Sequence, residues 1–185
     1  MGWYHQAHPI YGFFSGTQCT AVAMIFLVIA TFSNLNVWTP YDIHETIRQG
    51  SNLHHHIIER DTYLMHTELP SQIFWNDHLV TMNYIHDTFF GMIHQPGFHN
   101  TESMIPNLGQ MLPDALSGAF RMANSLLFTA HSSTIAIFST GTSYALFDSH
   151  SRDSTGQPVA EGAAVLLHFD NLQSLVGYLY NELLQ

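Results

Sequence analysis

The chain has 185 residues, with 14 Asp and Glu against four Arg and no Lys, and a formal charge of −10. So few basic side chains cannot neutralise a phosphate backbone, which excludes a nucleic-acid partner, and a single cysteine excludes an internal disulfide. A 46% hydrophobic content argues for a folded globule, one domain over 1–185, suited to a reducing compartment such as the cytosol or nucleus.

The opening segment to about Gln18 is turn-rich, with His8-Pro9 and Tyr11-Gly12 marking irregular backbone. From Cys19 to about Phe32 the sequence is apolar all round, the pattern of a buried helix. The Ala21–Ala30 run is too short for a bilayer, and no Lys or Arg precedes it as in a signal peptide, so no membrane segment is expected. Thr39-Pro40-Tyr41-Asp42 is a capping signature, with Thr39 at the cap and Asp42 able to reach back. That helix is expected to stop near Gly50, and Ser51 to start another through His54-His55-His56. Consecutive residues of a helix point about 100° apart and rarely share one ion, so the triplet predicts a solvated face and no metal site.

In the middle of the chain HLVTMNYIH has strand composition, and HQPGFHNTESMIPNLGQ is a loop. A short amphipathic helix follows over about Asp114 to Ala123. SLLFTAHSSTIAIFSTGTSYALFDSH then gives three β-rich runs, with turns at Ser-Ser and Thr-Gly, in the outline of an antiparallel meander. A further strand, GAAVLLHF, and a helix from about Asn171 to Leu184 complete an α+β pattern.

Cys19 opens its helix, where unpaired N–H groups and the helix dipole favour a thiolate. A lone cysteine before an apolar helix also suits a small core residue, so a nucleophile needs a base and a group to orient it. On YALFDSH, strand alternation places Tyr144, Leu146, Asp148 and His150 on one face, so that Asp148 can orient the His150 imidazole. In a chain with 14 His, such Asp-x-His pairs also arise by chance. An oxyanion donor would come from the Cys19 N–H with Gln6 or Gln18. The chain order, Cys before His, is that of papain-like hydrolases. No Gly-rich phosphate loop is present, and no cofactor is expected.

QAHPIYGFFSGTQCT resembles the opening motif of the deubiquitinase domain of herpesvirus large tegument proteins and of the tegument-like deubiquitinases. YALFDSHSRDSTG is similar to that family's Asp-Pro-His-Gly block. DIHETIRQGSNL and TELP match weaker landmarks, and AAVLLHFDNLQSLVGYL resembles the closing strand and helix. The resemblance implies a papain-like fold, with the Cys19 helix packed on an antiparallel sheet. It implies Cys19 as nucleophile, His150 as general base, Asp148 as its orienting group, and Gln6 rather than Gln18 as oxyanion donor. Ser149 and Ser151 depart from the usual Pro and Gly, which bears on loop geometry rather than chemistry.

The implied substrate is ubiquitin or a polyubiquitin chain, cut after its C-terminal Gly-Gly. An acidic groove would suit its arginine-bearing tail, with Asp77, Asp87 and Glu102 as candidates. In that setting the lack of lysine leaves no side-chain amine for ubiquitin ligases to modify. Two readings compete: a protease for another ubiquitin-like modifier, and an inactive ubiquitin-binding module. A zinc hydrolase built on the histidines is a more remote alternative. Linkage preference, oligomeric state and origin are not encoded in any motif.

Overall fold

The computed structural model describes residues 1–12, 16–58, 62–85 and 111–183. Helix α1 (Cys19–Phe32) is followed by α2 (Pro40–Ile57), a hairpin of β1 (Gln72–Trp75) and β2 (His78–Thr81), and α3 (Leu112–Met122). Strands β3 (Ser125–Ala130), β4 (Ser133–Ser139), β5 (Tyr144–Arg152) and β6 (Ala163–Phe169) then precede α4 (Leu172–Leu183). The four later strands form one antiparallel sheet in the order β3-β4-β5-β6, the expected meander plus one strand.

Strand alternation divides this sheet between two cores. Ala136, Phe138, Ala145 and Phe147 pack on α1 and α2 through Val22, Phe26, Ile43 and Ile47. Phe26 stacks on Phe147 with ring centroids 4.8 Å apart. Ile137 and Leu146 point the other way, into Leu112 and Leu116 of α3 and Leu175, Val176 and Leu179 of α4. A helix apolar all round is thereby explained. One side of α1 meets the sheet, and Ala21, Met24, Ile25 and Val28 meet Leu64, Leu69 and Ile73 leading into the hairpin.

The cap of α2 forms as its sequence predicts: the Thr39 N–H donates to Asp42 Oδ2 at 2.6 Å, with Pro40 in the first turn. The expected stop at Gly50 does not occur, because α2 runs through it to Ile57. The glycine is there for close approach rather than for a left-handed cap. A Cβ at Gly50 would lie 2.6 Å from Val22 Cγ2 and closer still to Val22 Cα, so this is where α1 and α2 cross. Gly50→Ala would stabilise an isolated helix by about 1 kcal/mol. In this protein overpacking by about 1–3 kcal/mol should win, lowering the melting temperature by about 2–4 °C per kcal/mol. Calorimetry of the variant checks the sign.

The histidine triplet is not one solvated face. His55 and His56 are exposed, whereas His54 is buried with Nε2 3.0 Å from the Thr62 carbonyl. Among the described residues no group of three His, Cys, Asp or Glu could hold a metal, and no helix is long and apolar enough to cross a membrane. The expected turn at Ser132-Ser133 falls one residue earlier, at His131-Ser132, both left-handed with φ 48° and 63°. Asn76-Asp77 makes the same turn between β1 and β2. Asp77 is thus a hairpin-tip residue, and Asp87, Glu102 and the expected loop from His94 to Gln110 lie outside the described residues.

Candidate active site

The β4–β5 pairing runs only from Ser139↔Tyr144 to Ala136↔Phe147. Beyond it lie the start of β4 and the end of β5, and Cys19 joins the two. Its thiol faces the Thr134 backbone on β4, His150 on β5 and Thr20 beside it on α1, and all three favour its thiolate. The Thr20 hydroxyl in turn donates to Thr134 Oγ1 at 3.2 Å.

The β5–β6 pairing is also interrupted, passing from Asp148↔Val165 to Arg152↔Ala163, so that Ser149, His150 and Ser151 face a single β6 residue, Ala164. A bulge of this kind bends a strand and re-aims its side chains. It leaves ladder groups on Ala164 and Ser149 without strand partners, and the N-terminal segment takes them. Gly2 N–H donates to the Ala164 carbonyl at 2.7 Å, Ala164 N–H to the Tyr4 carbonyl at 3.1 Å, and Gln6 N–H to the Ser149 carbonyl at 2.7 Å. Residues at opposite ends of the chain are joined this way, and Gln6 arrives beside His150.

Asp148 is 2% exposed and fully engaged. Its Oδ1 lies 2.6 Å from His150 Nδ1 and accepts the His150 backbone N–H at 2.9 Å, while Oδ2 accepts from Arg152 Nε at 2.7 Å. Burial disfavours the carboxylate, but His150 and Arg152 outweigh it and hold the pKa below the ordinary carboxylate range. Burial likewise opposes the imidazolium. The hydrogen bond to Asp148, helped by Cys19, prevails and raises His150 to about 9. For Cys19, burial pushes the thiol up, yet the His150 hydrogen bond, the Thr134 backbone and the His150 charge bring it below its ordinary value. All three shifts favour one state: a thiolate facing an imidazolium that a carboxylate orients, the arrangement of an activated thiol.

The two glutamines differ in what their amides do. Gln18 is committed on both sides, Oε1 accepting from Gly16 N–H at 2.7 Å and Nε2 donating to Ser51 Oγ at 3.0 Å. Gln6 Oε1 accepts from Ser149 Oγ at 2.9 Å, while Nε2 reaches the Gly16 carbonyl only at 3.5 Å. Gln6 therefore has a weakly held donor, on an amide attached to the residue before His150, and Gln18 does not. Cys19, Asp148, His150 and Gln6 come together.

Arg152, Thr20 and Thr134 join them without having been singled out beforehand, and Ser149, expected to bear only on loop geometry, joins them through Gln6. Arg152 had a signal, since it continues the Tyr144 to His150 alternation onto the face of Asp148. Thr134 had none, because a backbone N–H leaves no mark in sequence. The two departures from the usual Pro and Gly are both hydrogen-bonded: Ser149 to Gln6, and Ser151 Oγ accepting the Gly162 N–H at 2.8 Å.

Comparison with known proteins agrees with this architecture. The family model of the herpesvirus tegument protein, N-terminal conserved region, matches residues 1–185. No curated protein sequence matches. Among solved structures the chain is similar to the ubiquitin-specific protease encoded by a murine cytomegalovirus tegument protein, determined in complex with a ubiquitin-based suicide substrate. The TM-score is 0.69 at 16% identity, over 96% of this chain and 76% of that one. The likeness establishes the papain-like α+β fold, with Cys19 in its N-terminal helix.

Proposed function

The chain belongs to the herpesvirus tegument protein N-terminal family, and from that premise we propose that it is a ubiquitin-specific cysteine protease formed by residues 1–185 as one domain. The observation that carries this reading is the Asp148–His150 pair facing the Cys19 thiol, with the N-terminal segment hydrogen-bonded through Gln6 to the neighbouring Ser149. The Cys19 thiolate attacks the carbonyl carbon of the last glycine, forming a C–S bond. The oxyanion is received by Gln6 Nε2–H and the Cys19 N–H. As the C–N bond breaks, the imidazolium of His150 gives its proton to the leaving amine and a thioester remains. His150 then takes a proton from water, hydroxide adds to the thioester carbonyl, and the C–S bond breaks, releasing the C-terminal acid and restoring the Cys19 thiolate beside the imidazolium.

Cys19 is 1% exposed while 23% of the His150 side chain is open to solvent. So confined a thiol suits a substrate tail without side chains, which Gly-Gly supplies. The formal charge of −10 suits the arginines that precede those glycines. Phe74 and Leu79 oppose each other across the β1–β2 hairpin and are 71% and 60% exposed. Ile73, beside Phe74, packs in the cluster that holds α1, so this pair presents an apolar surface to a folded substrate. A nucleophile that must stay reduced fits the cytosol or nucleus.

Ubiquitin carrying a C-terminal thiol-reactive group tests the reading. The expected result is a mass gain of one ubiquitin, absent in Cys19→Ala. No adduct on a folded wild-type protein overturns it. The same warhead on other modifiers ending in Gly-Gly decides whether ubiquitin is the true substrate. Retention of Cys19, His150, Asp148 and Gln6 in one site speaks against an inactive binding module.

A further inference from the structure

We infer that Ser149 is a positioning residue whose hydroxyl fixes the Gln6 carboxamide with its NH2 toward the oxyanion. This inference rests on the thiol-protease reading and adds to it the group that sets the orientation of the oxyanion donor.

An amide side chain can turn over and exchange its O and NH2, so a glutamine is a reliable donor only if its neighbours forbid the exchange. Gln6 is 1% exposed and Ser149 2% exposed, so water does not decide the matter. On one side of the amide stands the Gly16 carbonyl, 3.5 Å away, which can only accept. Whatever faces it must be NH2, which places the oxygen toward Ser149. The Ser149 hydroxyl then has one available role there, donating to Gln6 Oε1 at 2.9 Å. The contact to Gly16 is too long to hold the amide by itself, whereas the one to Ser149 is of ordinary strength.

The backbone reinforces this. Gln6 N–H donates to the Ser149 carbonyl at 2.7 Å, so Gln6 is attached to the same residue twice, through main chain and side chain. Both bonds depend on the β5 bulge, which turns Ser149 away from the β6 ladder. His150 follows immediately in sequence and Asp148 precedes, so one three-residue stretch aligns the base, its orienting carboxylate and the oxyanion donor. A proline at this position could provide the carbonyl but not the hydroxyl.

The test compares Ser149→Ala with wild type on a peptide ending in Arg-Gly-Gly coupled to aminomethylcoumarin, and on iodoacetamide. Amide hydrolysis passes through an oxyanion and alkylation does not. The expected result is kcat lower by about 10-fold with KM within about two-fold, part of the roughly 10²–10³ that removal of a donor costs. Alkylation of Cys19 should be unchanged. In a Gln6→Ala background the Ser149→Ala loss should vanish, because the two act as a unit. Ser149→Cys, of similar volume with a weaker donor, should fall between and provides the comparison if the alanine variant folds poorly. An unaltered kcat, an equal loss of alkylation, or a loss that persists without Gln6 overturns the inference. A readout without substrate keeps it separate from the function itself. The two Gln6 side-chain NH resonances, distinct in both proteins because the amide C–N bond rotates slowly, should shift and exchange faster with solvent in Ser149→Ala. Identical spectra refute positioning even if the wild type cleaves ubiquitin, and altered spectra with an inert wild type leave positioning supported while the protease reading fails.

Discussion

Asp148→Asn should lower kcat/KM by about 10²–10³-fold, and it should do so although an asparagine can orient a histidine in a thiol protease. The reason lies in what surrounds this carboxylate. His150 Nδ1–H and the His150 backbone N–H approach one oxygen, and Arg152 Nε–H approaches the other. Every neighbour is a donor. An asparagine has a single acceptor oxygen, so its NH2 must face either the imidazole or the guanidinium, donor against donor, at a position only 2% exposed. If it faces His150, the imidazolium loses its orientation. If it faces Arg152, a largely buried cation loses its carboxylate, which for pairs of this kind costs about 3–5 kcal/mol of stability. The rate loss quoted corresponds to about 3–4 kcal/mol of transition-state stabilisation. Arg152→Gln added to Asp148→Asn separates the two penalties. The double variant should recover a large part of the lost melting temperature, because a neutral amide can pair with asparagine, while kcat stays low for want of the negative charge. A single Asp148→Asn variant with wild-type kcat would show that the imidazole is oriented by something other than Asp148.

The parts of this molecule that could be read from sequence are those specified locally. Thr39, Pro40 and Asp42 determine the start of α2 through contacts three residues apart, and the alternation of Tyr144 to Phe147 determines which sheet face each residue takes. Cys19 at a helix start and Asp148 near His150 are local features too, and the structure joins them. What could not be read depends on contacts remote in sequence. Gly50 looks like a helix stop because glycine favours a left-handed cap, and only the proximity of Val22 reveals that it is there for packing. His54 looks like its two neighbours, but it alone turns inward toward Thr62. The hydroxyl of Ser149 and the N–H of Thr134 acquire roles only once the β5 bulge and the end of the β4–β5 ladder bring Gln6 and Cys19 to them.

His150→Ala should produce the larger loss, about 10⁴-fold or more in hydrolysis, because two functions disappear together. The proton donor to the leaving amine is gone, and so is the main influence that lowers the Cys19 pKa. With the imidazolium removed, burial acts on the thiol with less opposition and raises it. Iodoacetamide alkylation at pH 7 should therefore slow by about 10-fold or more, tracking the lost thiolate. The wild-type pH profile follows from the same pair, whose titrations belong to both groups jointly. Activity should decline as pH rises through about 9, where His150 loses its proton, and on the acid side as the thiolate is protonated below its ordinary value.

Stability shares the alkaline limit. His150 is raised from 6.5 to about 9 on folding, so its contribution is complete below 6.5 and is lost as pH rises through about 9. Asp148 and Cys19 are lowered, so each contributes fully above its ordinary value and loses that contribution as pH falls through its depressed one. Denaturant midpoints should lose the His150 contribution between about pH 6.5 and 9, offset in part by the gain from Cys19 over the same window, and neither change should be present in His150→Ala. If alkylation of that variant matched wild type at every pH, the thiolate would owe its existence to the helix start and the Thr134 backbone, and His150 would act only on the leaving group.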